Sequence, residues 1–216
     1  MMAATELELA ILISGRGSNM TALARACQAG TLRARVAVVI ADREGAGGLA
    51  AARELGLATE TVPHARDEAA FEGALEATLE RYRPGALALA GFMRVLSASF
   101  VARYLGRLFN IHPSLLPKYR GLHTHRRVLE AHEAAHGASV HFVTPELDAG
   151  PVVLQSRLPV RAGDTEASLA ARVLATEHVI YPRALDWFAA GRLLWRDGAA
   201  WLDGRPLESP IVEDFA

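Results

Sequence analysis

Three short apolar runs, separated by stretches of helical periodicity, constrain this chain more than any other feature. Leu7–Ser14, Arg35–Ala41 and Ala86–Ala90 are dominated by Ala, Val, Leu and Ile, and the first and last run directly into glycine. A strand with one face in water alternates apolar and polar residues; a strand without that alternation must be covered on both faces. The segments between the runs read as helices. Met20–Ala29 follows the capping pair Ser18-Asn19 and stops at Gly30, Gly48–Leu55 stops at Gly56, and Asp67–Tyr82 carries Phe71, Leu75 and Leu79 at helical spacing. With Ala58–Val62 as a short strand, the order is β-α-β-α-β-α-β. That rhythm predicts an α/β fold: a Rossmann-like, mostly parallel central sheet with helices on both faces. Ligands of such sheets sit beyond the carboxyl ends of the strands, where the loops after Ser14, after Ala90 and around Asn110 are expected.

The second half has a different grammar. Ser97–Tyr104 and Arg126–Ala135 read as helices, the latter stopped near Gly137, and Thr165–Ala189 as one long helix with Pro182 inside. Ser139–Thr144 and Val152–Val160 alternate as strands, most simply an antiparallel pair. Asp197-Gly198 between Arg192–Arg196 and Ala199–Leu202 is a hairpin signal. Antiparallel additions are therefore expected in the C-terminal half. No linker, repeat or low-complexity tract interrupts the chain. One domain over residues 1–216 is expected, its two halves (1–105 and 106–216) meeting within one core.

Bulk properties exclude several classes. A net charge of −1 and a pI near 6.7 give no electrostatic basis for binding nucleic acid or an anionic membrane. The apolar run Leu9–Ile13 is too short to span a bilayer and has no basic leader. Cys27 is the single cysteine, which points to a reducing, cytoplasmic location.

Two segments carry chemistry. Gly15-Arg16-Gly17-Ser18-Asn19 lies between a buried strand and a helix, where free amides and a helix N-terminus attract an anion. The third glycine of the dinucleotide fingerprint is replaced by Met20, so one terminal phosphate fits better than a dinucleotide. For the same reason Asp42, after the second strand, reads as a solvated loop acid rather than a ribose ligand. The other segment is Asn110-Ile111-His112-Pro113-Ser114-Leu115-Leu116-Pro117. In extended backbone, Asn110 and His112 point the same way. An amide can stabilise an oxyanion, an imidazole can move a proton, and a downstream carboxylate, Asp148, can orient and charge that imidazole.

His132-Glu133-Ala134-Ala135-His136 matches the zinc-protease spacing, but it ends a predicted helix, and the longer form of the motif with its third histidine is absent. His123 and His125 alternate, and at least one is expected to line the polar cleft near His112. The expectation is a site without a metal.

Taken together, Ile13–Asn19, Ala90–Leu96, Asn110–Tyr119, Gly121–His125, Ser139–Val143, Glu177-His178 and Ala200–Gly204 resemble the folate-dependent formyltransferases. The Gly-x-Gly-Ser-Asn loop narrows the resemblance to those acting on glycinamide ribonucleotide. It implies formyl transfer from 10-formyltetrahydrofolate, as cosubstrate, to the amino group of that substrate in purine synthesis. It implies that Gly17, Ser18 and Asn19 hold the substrate phosphate and that Glu177 contacts its ribose. It places the folate against Met93, Arg94, Val95 and Leu96 and the loop Thr144–Asp148, with Asn110 and Asp148 shared. Arg66 is the nearest candidate for a folate-facing arginine, with Glu68 at the simple offset. Asn110, His112 and Asp148 take the catalytic positions. The implied partners are small molecules, with no nucleic acid or membrane, in a monomer or homodimer. Relatives acting on transfer RNA carry an added C-terminal domain and those hydrolysing the folate an N-terminal one, and neither is expected here. A non-catalytic nucleotide-binding module, in which the polar trio is purely structural, is the rival reading.

Overall fold

The structure is a computed structural model and describes residues 6–64 and 66–216. The first half runs through β1 (Leu7–Ile13), α1 (Ser18–Gln28), β2 (Ala34–Ala41), α2 (Gly47–Glu54), β3 (Thr59–Thr61), α3 (Glu68–Tyr82) and β4 (Ala86–Leu89). Then come α4 (Ala98–Arg103), β5 (Leu108–His112), α5 (Thr124–Glu130), β6 (Ala135–Phe142), β7 (Val152–Pro159) and α6 (Glu166–Ala189). Four short strands follow, β8 (Leu193–Arg196), β9 (Ala199–Leu202), β10 (Arg205–Pro206) and β11 (Ile211–Asp214).

Eight strands form one sheet in the order β11-β7-β6-β5-β4-β1-β2-β3, and β8 to β10 form a separate antiparallel sheet. The strands from β5 to β3 are parallel, whereas β6 is antiparallel to both β5 and β7. From β1 the chain proceeds to β2 and β3 on one side, then crosses to β4 and β5 on the other. The carboxyl ends of β1 and β4 are thus the point at which the winding reverses, the place where ligand crevices form in sheets of this kind. The two loops that leave it are tied together, since Ser14 N donates to Gly91 O and Met93 N to Ser14 Oγ.

Alternate side chains of β1 feed two cores. Leu9, Ile11 and Ile13 pack with Met20 and Leu23 of α1, Leu49 of α2 and Ile180 of α6. Ala10 and Leu12 pack with Phe71, Leu75 and Leu79 of α3 and Phe100 of α4. Each such Leu or Ile, fully buried, contributes about 1.5–3 kcal/mol relative to exposure. This explains the unbroken apolar runs.

Three elements differ from the sequence expectation. The helix expected over Arg126–Ala135 ends at Glu130, and Ala135–Gly137 belongs to β6. Gly137 does not stop a helix. It lies where a side chain would meet Ser156 O of β7 at 1.8 Å, so the ladder itself requires a glycine. The parallel edge strand β11 carried no readable pattern, because Ile211 and Val212 are both exposed and gain little from burial. As expected, α6 runs on through Pro182.

Buried in α6, Tyr181 reaches across the sheet, its hydroxyl 3.1 Å from Leu89 O of β4 and 3.2 Å from Phe109 O of β5. Replacing it by Phe removes the donor that faces both carbonyls. Tyr181→Phe is expected to lower unfolding free energy by about 1–3 kcal/mol in a denaturant titration. An unchanged midpoint would show that the hydroxyl does not tie the helix to these strands.

Candidate active site

Antiparallel pairing of β5 with β6 sets the polar cluster. Asn110 and His112 lie on the same face of β5, with Ile111 buried on the other. Their cross-strand partners are His141 and Ser139. Asn110 Nδ2 lies 3.1 Å from His141 Nε2, while His141 Nδ1 lies 2.8 Å from Phe142 O. A carbonyl only accepts, so Nδ1 carries the proton and Nε2 is left as the acceptor for the Asn110 amide. Burial holds His141 well below the usual histidine range, which keeps the ring neutral and in this role. One Asn110 N–H is thereby fixed and the second is free to point elsewhere.

Asp148 folds back across 36 residues, as the convergence of the trio requires. Its Oδ2 lies 3.4 Å from His112 Nδ1 and accepts from Gly121 N at 2.9 Å, and its Oδ1 lies 3.8 Å from His141 Nε2. Both side chains of the His112–Asp148 pair are 8% exposed, so water screens it little. Asp148 has φ 49°, a left-handed backbone that short polar residues tolerate best. On the other side of the ring, His112 Nε2 donates to Tyr119 O at 3.0 Å. Both ring nitrogens therefore have protein partners. Substrate can reach Nε2 only by displacing the Tyr119 carbonyl.

A buried row behind the site holds the Ser114–Pro117 turn. Ser139 Oγ donates to Ser114 O at 2.6 Å and accepts from Leu116 N at 3.1 Å. Gln155, opposite Ser139 on β7, donates to Leu116 O and to Ser139 Oγ at 2.8 and 2.9 Å. His141, Ser139 and Gln155 belong to the site and had been given no individual role. The signal available for them was polar residues inside alternating strands, where burial demands partners.

At the neighbouring strand end, Gly17 caps α1 at φ 73°, and a Cβ there would lie 2.8 Å from Gly48 Cα. Close packing of the two loops therefore excludes any side chain. No side chain caps α1 and its first turn holds no acid, so its leading amides keep their positive potential. Asn19 Nδ2 donates to Glu177 Oε2 of α6 at 2.6 Å. Burial raises the Glu177 carboxyl to about 7, against the smaller opposing effect of the Asn19 hydrogen bond. A cavity of about 500 Å³, lined by Ser18, Thr21, Ala22, Arg25 and His178, opens beside this helix start.

Met93 and Val95 are exposed on the loop after β4, Leu96 is buried, and Arg94 is ion-paired to Asp42. The reading of Asp42 as a solvated acid is corrected: it is buried at the end of β2, because that strand delivers it beneath the loop. Arg66 lies in the exposed turn before α3, and among the described residues it makes no hydrogen bond or ion pair with the cluster. The zinc-like spacing fails on backbone geometry. His132 sits in a left-handed turn and His136 on β6, so they share no helical face. His136 Nε2 instead lies 3.0 Å from His125 Nδ1, and burial first, then His125, lowers it to about 4. His123, left-handed at φ 59°, caps α5.

Comparison with known proteins identifies the family. The sequence pattern of the family described as "Formyl transferase" matches residues 7–185. The phosphoribosylglycinamide formyltransferase of Escherichia coli (strain K12) is 50% identical over 203 residues, covering 93% of this chain and 96% of that protein. The structure of the phosphoribosylglycinamide formyltransferase of Coxiella burnetii, in complex with CHES, superposes with a TM-score of 0.91 at 47% identity, over 95% of this chain and 98% of that one. The trifunctional purine biosynthetic protein adenosine-3 of Homo sapiens is 40% identical over 185 residues, 85% of this chain and 18% of that protein. With fold, loop geometry and near end-to-end likeness in agreement, the chain belongs to the formyl transferase family.

Proposed function

We propose that this chain transfers a formyl group from 10-formyltetrahydrofolate to the amino group of 5-phosphoribosylglycinamide, giving the formylglycinamide ribonucleotide and tetrahydrofolate in de novo purine synthesis. The observation that carries this reading is the juxtaposition, at one sheet edge, of an uncapped helix start and the Asn110–His112–Asp148 cluster. Likeness to phosphoribosylglycinamide formyltransferases over nearly the whole chain supports it.

The amine nitrogen attacks the formyl carbon. A C–N bond forms, a tetrahedral oxyanion develops, and the bond from that carbon to the folate nitrogen breaks. The proton lost by the amine ends on the folate nitrogen. Asn110 donates its second N–H to the oxyanion, held in place by His141. His112 stabilises the same charge and carries the proton once substrate displaces the Tyr119 carbonyl from Nε2, and Asp148 orients the ring. Gly17, Ser18 and Asn19 hold the phosphate and Glu177 the ribose. Met93, Arg94, Val95 and Leu96, with Asn110 and Asp148, flank the folate, and Arg66 is the nearest candidate for a folate-facing arginine. Holding both substrates in one crevice supplies proximity, worth several kcal/mol. The whole of residues 1–216 acts as one domain, since a single sheet runs through both halves and the Asn19–Glu177 bond joins them. The single Cys27 supports a cytoplasmic setting, and the unit is a monomer or a homodimer.

Purified protein with both substrates should release tetrahydrofolate, and His112→Ala should reduce kcat by about 10²–10⁴-fold. Asp148→Asn should fall in the same direction. A full rate in His112→Ala would sink the mechanism, and an inactive wild type would sink the function. A second expectation concerns Glu177. Its native carboxyl titrates near 7 and its unfolded one near 4.5, so the native state holds the extra proton between those values. Stability should therefore fall as pH rises from about 4.5 to 7, by on the order of 2–3 kcal/mol, and then level off. In Glu177→Gln, denaturant titrations at pH 5 and pH 8 should lose most of that difference, and KM for the ribonucleotide should rise. An identical pH dependence in variant and wild type would contradict the buried-acid account.

A further inference from the structure

The loop that follows β4 is held from below by three side chains, each from a different element. Ser14 Oγ, at the end of β1, accepts from Met93 N at 2.8 Å. Glu72 of α3 accepts from Ser97 N and from Ser97 Oγ. Between these two points stands Asp42, at the end of β2, whose Oδ2 lies 2.6 Å from Arg94 Nε. Of the three, only the Asp42 contact pairs full charges. The Asp42 side chain is 0% exposed and that of Arg94 35%. The carboxylate is thus wholly inside, while the guanidinium bridges from the interior to solvent.

The pairing is one-sided. Asp42 Oδ1 is buried and, among the described residues, has no hydrogen-bond partner. Arg94 commits Nε alone, and its two terminal nitrogens make no hydrogen bond among the described residues. An arginine meeting a carboxylate in the open takes the two-point arrangement, because it satisfies both oxygens. A buried carboxylate bonded at one oxygen forgoes part of that compensation. What the arrangement secures is direction: Nε is pinned inward, and the terminal nitrogens of the partly exposed side chain stay uncommitted. Between the Ser14 and Ser97 anchors, Met93 and Val95 are turned to solvent at 65% and 74% exposure. Asp42 is therefore the anchor that meets a full opposite charge on this segment, whose other outward side chains, Met93 and Val95, are apolar.

We propose that Asp42 is a positioning residue for the formylfolate cosubstrate: through Arg94 it fixes the backbone of residues 93–96 and the outward aim of the free guanidinium nitrogens. This rests on the folate reading of that loop given above, and it adds a residue on β2 that touches neither substrate. Because Asp42 acts on the resting geometry of a binding segment, its loss weakens ground-state and transition-state binding alike. That pattern raises KM and spares kcat. The ribonucleotide, held at the β1–α1 loop and by Glu177, is unaffected.

The test is steady-state kinetics of Asp42→Asn, which keeps the shape and removes the charge, beside Arg94→Gln and the double variant. The expected result is a rise of about tenfold in KM for 10-formyltetrahydrofolate, with kcat and KM for the ribonucleotide within about twofold of wild type. In the Arg94→Gln background the Asp42 substitution should add no further rise, since the route through Arg94 is already gone. An unchanged folate KM in a folded Asp42→Asn protein overturns the proposal. So does a parallel decline of all three parameters with a lowered Tm, which marks a purely structural role, and so does full additivity in the double variant. Should Asp42→Asn fail to fold, Arg94→Gln alone decides: an unchanged folate KM there overturns the proposal as well. Activity of the wild-type protein in the same assay separates this outcome from failure of the formyl-transfer reading.

Discussion

The antiparallel pairing of β5 with β6 is the constraint on which the rest of the site depends. The antiparallel register puts His141 directly opposite Asn110 and Ser139 opposite His112. One cross-strand pair fixes the amide, and the other begins the Ser139–Gln155 row that holds the Ser114–Pro117 turn. Because side chains alternate along a strand, a slip of one residue would turn all of them away from the crevice.

A second constraint is the reversal of winding between β1 and β4. It separates two loops that begin on adjacent strands and tie back to each other through Ser14. One carries a glycine packed so tightly against Gly48 that no side chain fits, and the other exposes Met93 and Val95. The two loops and the Asn110–Asp148 cluster thus all lie beyond the carboxyl ends of adjacent strands β1, β4 and β5. The buried polar groups around it, Glu177 with Asn19 and Asp42 with Arg94, lie on the routes by which helices and strands meet the crevice.

Much of this was legible in the residues. The parallel half could be read because burial on both faces removes alternation from β1, β2 and β4, and Gly30 and Gly56 stop α1 and α2; the expected Ser18-Asn19 cap is not made, since α1 begins at Ser18 behind Gly17. Asn110 and His112 stood out as polar groups directly after the apolar pair Leu108-Phe109, with a period that sends them one way. Other features were not legible. His132 and His136 carry a louder motif, yet Ala135–Gly137 is drawn into the sheet because its ladder with β7 is worth more than continuing a helix. Asp42 read as solvated because an acid after a strand usually meets water, and nothing local reveals that Arg94, 52 positions away, lies above it. β11 had no signal, since an exposed edge strand depends on its partner rather than on its own pattern.

By itself, then, the sequence determined the layered α/β class, the helices of the parallel half, and the chemical identity of the amide, the imidazole and the glycine loop. These are set by local propensity and by the period of apolar residues, both of which act within a few turns. Only the tertiary structure decided which groups meet: Asp148 with His112, His141 with Asn110, Glu177 with Asn19, and Asp42 with Arg94. Each of these contacts joins residues far apart in the chain. Strand order and register, which bring them together, follow from burying two cores at once rather than from any single segment.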